Sequence, residues 1–305
     1  MLPVGLISTR RDFTKLAVAQ LAFAALAEAR GTKYKGVRLG VGTYSFRGVS
    51  MDDVIKIVSG AGLRGIELEA SGLEPQPASP EMSRTPEWRN TLRQWRISGK
   101  SIDDARGLKK KLDRAGIEVY AYTLPINDSF SDAEIDQTFT MTKALGSPAL
   151  NTLATMTTAK RLVPFADKHK LKIGLHPSGN PGNPEAIGTG ESYLKALELS
   201  PRFNATPDAS LYKNWGPDPI AFIKQIHSRI TTLHFHDRKL NQTPQTWVPF
   251  GEGDVPTKEL LLLAKREHYP FTFTIERIYN VPNIDHTAEI RRCVEYCKHV
   301  LDEKG

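Results

Sequence analysis

Cysteine is nearly absent from this chain. Two thiols in 305 residues, Cys293 and Cys297, do not make a disulfide framework. Their spacing of four sets both on one face of a C-terminal helix, where they read as small buried hydrophobes. Long apolar runs are scarce too. Residues 16–27 form an Ala-rich apolar stretch that is too short to cross a bilayer, and no second hydrophobic span follows. The mature chain is therefore expected to have no stable membrane insertion. No block of Lys and Arg with interleaved aromatics occurs; the formal charge of +7 is spread over expected helix faces. That pattern fits a solvated surface and gives no reason to expect a nucleic-acid partner. A glycine-rich phosphate turn is missing as well. Gly40-Val41-Gly42 lies inside an expected strand with no third glycine at the right offset. An open doubly wound sheet is thereby the weaker of two α/β readings.

What the chain does have begins at its N-terminus. Ser8-Thr9-Arg10-Arg11-Asp12-Phe13-Thr14-Lys15 resembles a twin-arginine export signal, followed by the short apolar stretch and by Ala27-Glu28-Ala29, a small-residue cleavage site. An amphipathic N-terminal helix accounts for the apolar run but leaves the arginine pair unexplained. The resemblance implies a leader over residues 1–29, a mature domain over residues 30–305, the twin-arginine machinery as partner, and a periplasmic or extracellular location. That route carries folded proteins.

From residue 37 onward strand and helix alternate about eight times, the count and length of a single-domain (β/α)₈ barrel. Strands are expected at residues 37–44, 63–68, 117–122, 149–153, 171–176, 202–208, 230–239 and 271–276, with helices between them. Residues 72–100 break the rhythm. They hold Pro75, Pro77, Pro80 and Pro86, then Trp88 and Trp95, and read as a long insertion after the second strand with a helix near its end. Long loops there usually carry function in barrels. The two tryptophans are seven apart, on one helical face: packing of that helix is the first reading, a sugar-stacking platform the second.

The strand ends carry the chemistry. The fifth closes on His176, the sixth on Asp208, the seventh on His234 and the eighth on Glu276. A buried parallel strand should be almost purely apolar. Two imidazoles and two carboxylates in register at the active-site face of a barrel suit a divalent metal such as Mn²⁺, Co²⁺, Zn²⁺ or Fe²⁺. Taken alone, each is as readily a satisfied structural residue.

Four segments resemble the xylose isomerase-like barrels of the sugar phosphate isomerase and epimerase superfamily. They are Gly65-Ile66-Glu67-Leu68, the run through His234, His236, Asp237 and Arg238, residues 249–255 (PFGEGDV) and residues 271–276 (FTFTIE). The resemblance implies metal ligation by His176, Asp208, His234 and Glu276. It implies His176, His236 and Glu276 as candidate acid-base groups; the candidate substrate-binding residues are Tyr44, Glu67, Trp88, Asp237 and Arg238. Two positions depart from the pattern. His176 stands where a glutamate is usual, and His236 where a lysine is usual, so the two-glutamate proton-transfer pair is not complete.

The implied activity is isomerisation or epimerisation of a sugar or keto sugar through an enediolate. β-Elimination from an oxidised 3-keto glycoside is an alternative, as is a non-catalytic carbohydrate-binding barrel. A small-molecule carbohydrate is the expected ligand, and self-association is left open.

Overall fold

The computed structural model describes residues 32–178, 182–240, 246–279 and 283–303. The chain divides into Met1–Arg30 and Gly31–Gly305. The expected export signal lies outside the described residues.

The described residues fold as a parallel (β/α)₈ barrel. Its strands are β2 (Val37–Gly42), β3 (Gly65–Glu69), β4 (Glu118–Thr123), β5 (Ala149–Thr152), β6 (Lys172–Leu175), β7 (Phe203–Ala205), β8 (Thr232–Phe235) and β11 (Thr272–Ile275). They pair in the order β7-β6-β5-β4-β3-β2-β11-β8. The ring closes between β7 and β8 through two parallel bridges, Ala205 to Ile230 and Asp208 to His234. β1 (Thr32–Tyr34) pairs antiparallel with β2, an addition that the apolar pattern does not announce.

The helices form for reasons legible in their ends. α1 (Met51–Gly60) starts at Ser50, whose side chain accepts from the Asp53 N–H, with Asp52 and Asp53 complementing the helix dipole. α4 (Asp132–Ala144) has a reciprocal capping box between Ser131 and Glu134. α5 (Met156–His169), α6 (Gly190–Glu198), α7 (Pro219–Ile226) and α8 (Thr257–Glu267) complete the outer layer with α9 (His286–Asp302), which buries Ile290, Cys293, Val294, Cys297 and Leu301. Both cysteines are free and buried.

The insertion folds into α2 (Pro86–Ile97), which runs almost directly into α3 (Gly99–Arg114). Trp95 is buried with Ile102 and Met141, and its indole N–H donates to Asp104 at 3.0 Å. Arg96 ties the segment down through Glu74 at 2.7 Å and Glu134 at 3.5 Å. This part of the insertion joins the outer helical layer, which decides Trp95 in favour of packing.

Inside the barrel small residues admit large ones. A Cβ on Gly174 would meet Asn151 Oδ1 at 2.0 Å, so only glycine lets that amide reach the interior polar layer. Between β3 and β4 the register slips at Ile66/Glu67, so that Tyr120 is skipped and Glu67 pairs with Ala121. The Tyr120 ring fills the space left by Gly40 and Gly65.

The seventh apolar run breaks in a way not expected from its sequence. β8 stops at Phe235, and β9 (Asp237–Lys239) leaves the barrel to pair antiparallel with β10 (Thr246–Val248). Asp237 drives the break. Its carboxylate accepts four backbone N–H bonds, from Arg238 (2.9 Å), Val255 (3.2 Å), Gly251 (2.9 Å) and Gly253 (3.0 Å). A Cβ on Gly253 would meet its Oδ1 at 2.1 Å.

Candidate metal and acid-base centre

His234 sits at the middle of the site. β8 places it beside Thr274 of β11 and, through the bridge, beside Asp208. Its ring is buried, and Nε2 lies 3.0 Å from Glu67 Oε1. A carboxylate oxygen only accepts, so Nε2 carries a proton. Nδ1 faces His176 Nε2 at 3.0 Å and Glu276 Oε1 at 3.3 Å, two acceptors that favour a proton on it or a cation in its place. His176 is fixed in the same manner from the other side: Nδ1 lies 3.1 Å from the Pro177 carbonyl and must donate to it. Its Nε2 is therefore bare.

Glu67 is the anchor beneath. It is fully buried, and Oε1 accepts from Thr123 (2.6 Å), Asn151 (2.8 Å) and His234, while Oε2 accepts from Thr274 (3.0 Å). Burial opposes its charge, yet His234 and these hydrogen bonds hold it well below the usual carboxylate range. His234 is pushed the other way. Burial disfavours its cation, but Glu276 and Glu67 outweigh that and raise its affinity for a proton well above the ordinary imidazole. His176 falls to about 4, through burial first and the neighbouring His234 second. Burial raises Glu276 despite His234 and His236.

Asp208 and His236 form a second pair, with Nε2 to Oδ1 at 2.8 Å. Oδ1 also accepts from Ser210 N at 2.8 Å and Ser210 Oγ at 2.7 Å. Oδ2 has no hydrogen bond among the described residues. His236 Nδ1 is buried without a partner. Trp247 of β10 packs against the His236 ring with centroids 4.6 Å apart, and the Arg238 guanidinium lies 5.3 Å from the Trp247 ring centroid.

The donors suit a divalent cation: two imidazole nitrogens pointed at one another, one carboxylate beside them and a second just beyond the next strand. Separations of 3.0 and 3.3 Å at His234 Nδ1 resemble the edges of a tetrahedron with bonds of about 2 Å. As the side chains stand, however, no group of three or more His, Cys, Asp or Glu among the described residues is arranged to hold a metal ion. They meet instead as hydrogen-bonded pairs. The fit lies in the identity and direction of the donors.

The remaining sequence-derived positions separate. Tyr44 stays exposed beyond β2, with the Arg47 guanidinium 3.7 Å over its ring. Arg238 is half-buried and donates to the Ser210 carbonyl. Glu67 and Asp237 are both buried with their oxygens engaged by the protein: Glu67 accepts from the His234 ring, and Asp237 accepts from the backbone of the 249–255 loop. Trp88 lies in the first turn of α2, which packs on α4, and among the described residues no ring contact or side-chain hydrogen bond joins it to the centre. The sequence reading missed Trp247, Thr123, Asn151 and Thr274. Trp247 follows a polar run without strand character, and the other three are ordinary strand residues until the barrel turns them inward.

No family model matches this chain, and no curated protein does. Solved structures do. A putative xylose isomerase from Rhodospirillum rubrum aligns with a TM-score of 0.63 at 14% identity, over 86% of this chain and 99% of its own. L-ribulose 3-epimerase aligns at 0.60 and 14% identity, over 87% and 95%. The IolI protein with a bound zinc atom aligns at 0.60 and 15% identity, over 86% and 97%. This chain has the fold of the xylose isomerase-like barrels.

Proposed function

We propose that this xylose isomerase-like barrel is an exported, divalent-cation-dependent isomerase or epimerase of a sugar or keto sugar. One observation carries the reading: His176 Nε2 and His234 Nδ1 face each other at 3.0 Å while each ring's other nitrogen is committed to an acceptor. Two lone pairs at that distance repel unless a proton or a cation lies between them. Glu276 and Asp208 add the negative charge that favours a divalent ion over a single proton. A divalent cation held by His176, His234, Glu276 and Asp208, whether Mn²⁺, Co²⁺, Zn²⁺ or Fe²⁺, supplies Lewis-acid polarisation of a substrate carbonyl.

The chain's own residues then hold and move protons. Asp208 fixes the Nε2–H of His236 and leaves Nδ1 bare, the form a general base needs. The substrate proton passes to that nitrogen as the C–H pair becomes the enediolate double bond. Delivery of a proton to the other face gives an epimer, and delivery to the neighbouring carbon gives an isomer. Trp247 shields the imidazole from water, and Tyr44 with Arg238 offers an amphipathic rim that suits a carbohydrate. The likeness to an epimerase structure and to a zinc-bound one supports the reading at the level of fold. Export rests on the Arg10-Arg11 signal and favours an extracellular carbohydrate.

Metal analysis of purified protein, followed by NMR of keto sugars in deuterated water, tests the proposal. Bound metal that depends on His176 and His234, with exchange of a substrate C–H for C–D, is the expected result. Sugar binding without exchange makes the protein a carbohydrate-binding barrel. Loss of a leaving group from an oxidised glycoside makes it a lyase.

A further inference from the structure

His176 occupies the strand end where a second proton-transferring carboxylate is usual, but Nδ1 is held by the Pro177 carbonyl and Nε2 is turned toward His234, where the proposed cation takes it up. Epimerisation requires a proton carrier on each face of the substrate. The structure offers another carboxyl. β3 carries glutamates two residues apart, Glu67 and Glu69. Side chains alternate along a strand, so both face the barrel interior. Glu67 is in the buried layer; Glu69 ends the strand one layer nearer the mouth and is half-buried. Its backbone N–H donates to Thr43 Oγ1 at 2.8 Å, which holds the strand end in place. Its carboxyl has no hydrogen-bond or ion-pair partner among the described residues. β3 stands four strands from β7 in the ring, so Glu69 lies across the mouth from Asp208, the residue that orients His236.

We propose that Glu69 is the second acid-base residue of this reaction, serving the substrate face opposite to His236. The inference rests on the isomerase or epimerase reading above. Its surroundings suit the role. Burial, then Glu67 and Glu276, raise its carboxyl to about 8, while His234 and Arg47 pull the other way. In the forward step His236 Nδ1 takes the substrate proton, the C–H pair moves into the enediolate double bond, and the carbonyl π pair moves onto its oxygen. Glu69 then gives its proton to the opposite face. The double-bond pair forms the new C–H bond, and the carbonyl re-forms. Water afterwards takes the proton from His236 and returns one to Glu69.

The test is to load the full mature chain and its Glu69→Gln variant with Mn²⁺ and follow four 2-ketohexoses in deuterated water by NMR. Wash-out of the C3 proton reads removal, and the C3 epimer reads delivery to the other face. The expected result is wash-out within about threefold of the parent and epimer formation down about 100-fold or more. Mn²⁺ affinity and melting temperature should be unchanged. Glu69→Asp, which keeps the acid, should recover part of the epimer; it takes the place of the Gln variant should that one fail to fold. Equal loss of both signals, or loss of neither, overturns the role of Glu69 alone. A parent protein that produces neither signal overturns the isomerase reading and this inference with it.

Discussion

His176 Nε2 and His234 Nδ1 lie 3.0 Å apart, each aimed at the other by a hydrogen bond on the far side of its own ring. The Pro177 carbonyl sets one tautomer and Glu67 the other. The arrangement is a carboxylate–histidine pair and a carbonyl–histidine pair meeting head to head. Removing Glu67 therefore tests the centre without touching a ligand. Glu67→Gln keeps the volume, but its amide can offer an N–H where His234 needs an acceptor. Metal affinity is expected to fall about 10- to 100-fold, measured by competition with a chelator. An unchanged affinity would detach Glu67 from the centre.

His234→Ala and His176→Ala remove donors directly. Each should abolish most bound metal in purified protein and most turnover, because the substrate carbonyl loses its polarising partner. Retention of stoichiometric metal in both variants would place any cation elsewhere. His176→Glu restores the charge usual at that strand end and should keep metal binding.

His176 also sets an acid limb to stability. Its folded value of about 4 lies below the ordinary 6.5, so between those values the unfolded chain holds a proton that the folded one does not. Stability from this residue is full above about 6.5 and declines as pH falls toward about 4. Chelator-treated protein should lose melting temperature across that window, and His176→Asn should flatten the decline. A slope unaffected by the substitution would contradict the assignment.

Asp237→Asn removes an acceptor that four backbone N–H groups share. The amide nitrogen would face donors, and each one left without a partner costs about 1–3 kcal/mol. Urea unfolding should show a clear loss. If the variant is as stable as the parent, the residue is not the organiser of the 249–255 loop.

The two tryptophans of the insertion should behave differently. Trp95→Ala opens a cavity between α2, α3 and α4 and should destabilise the protein by about 3–5 kcal/mol. Trp88→Ala should cost less, and a rise in KM without loss of melting temperature would bring Trp88 to the substrate after all.

Export has its own test. Replacing both Arg10 and Arg11 by Lys should strand the precursor in the cytoplasm, as seen by fractionation. Unchanged export would remove the signal assignment.

The barrel itself was legible in the sequence because its cause is local. Mostly apolar strands of three to six residues, alternating with helices, leave few packings other than a ring of parallel strands. The apolar runs also point His176, Asp208, His234 and Glu276 to one end of the barrel, although His234 stands inside its strand and the other three follow theirs. What the sequence did not decide is which polar group touches which. Glu67 and Asp237 look like site residues in one dimension, yet contacts more than a dozen positions away turn one into a buried anchor and the other into a loop clamp. Asn151 reaches Glu67 across 84 residues, and Thr274 across 207. Hydrogen bonds of that kind depend on strand order, on the register slip at Tyr120 and on the room left by Gly174, none of which a local pattern encodes. Periodicity sets which face a side chain takes; only closure of the ring sets what stands opposite it.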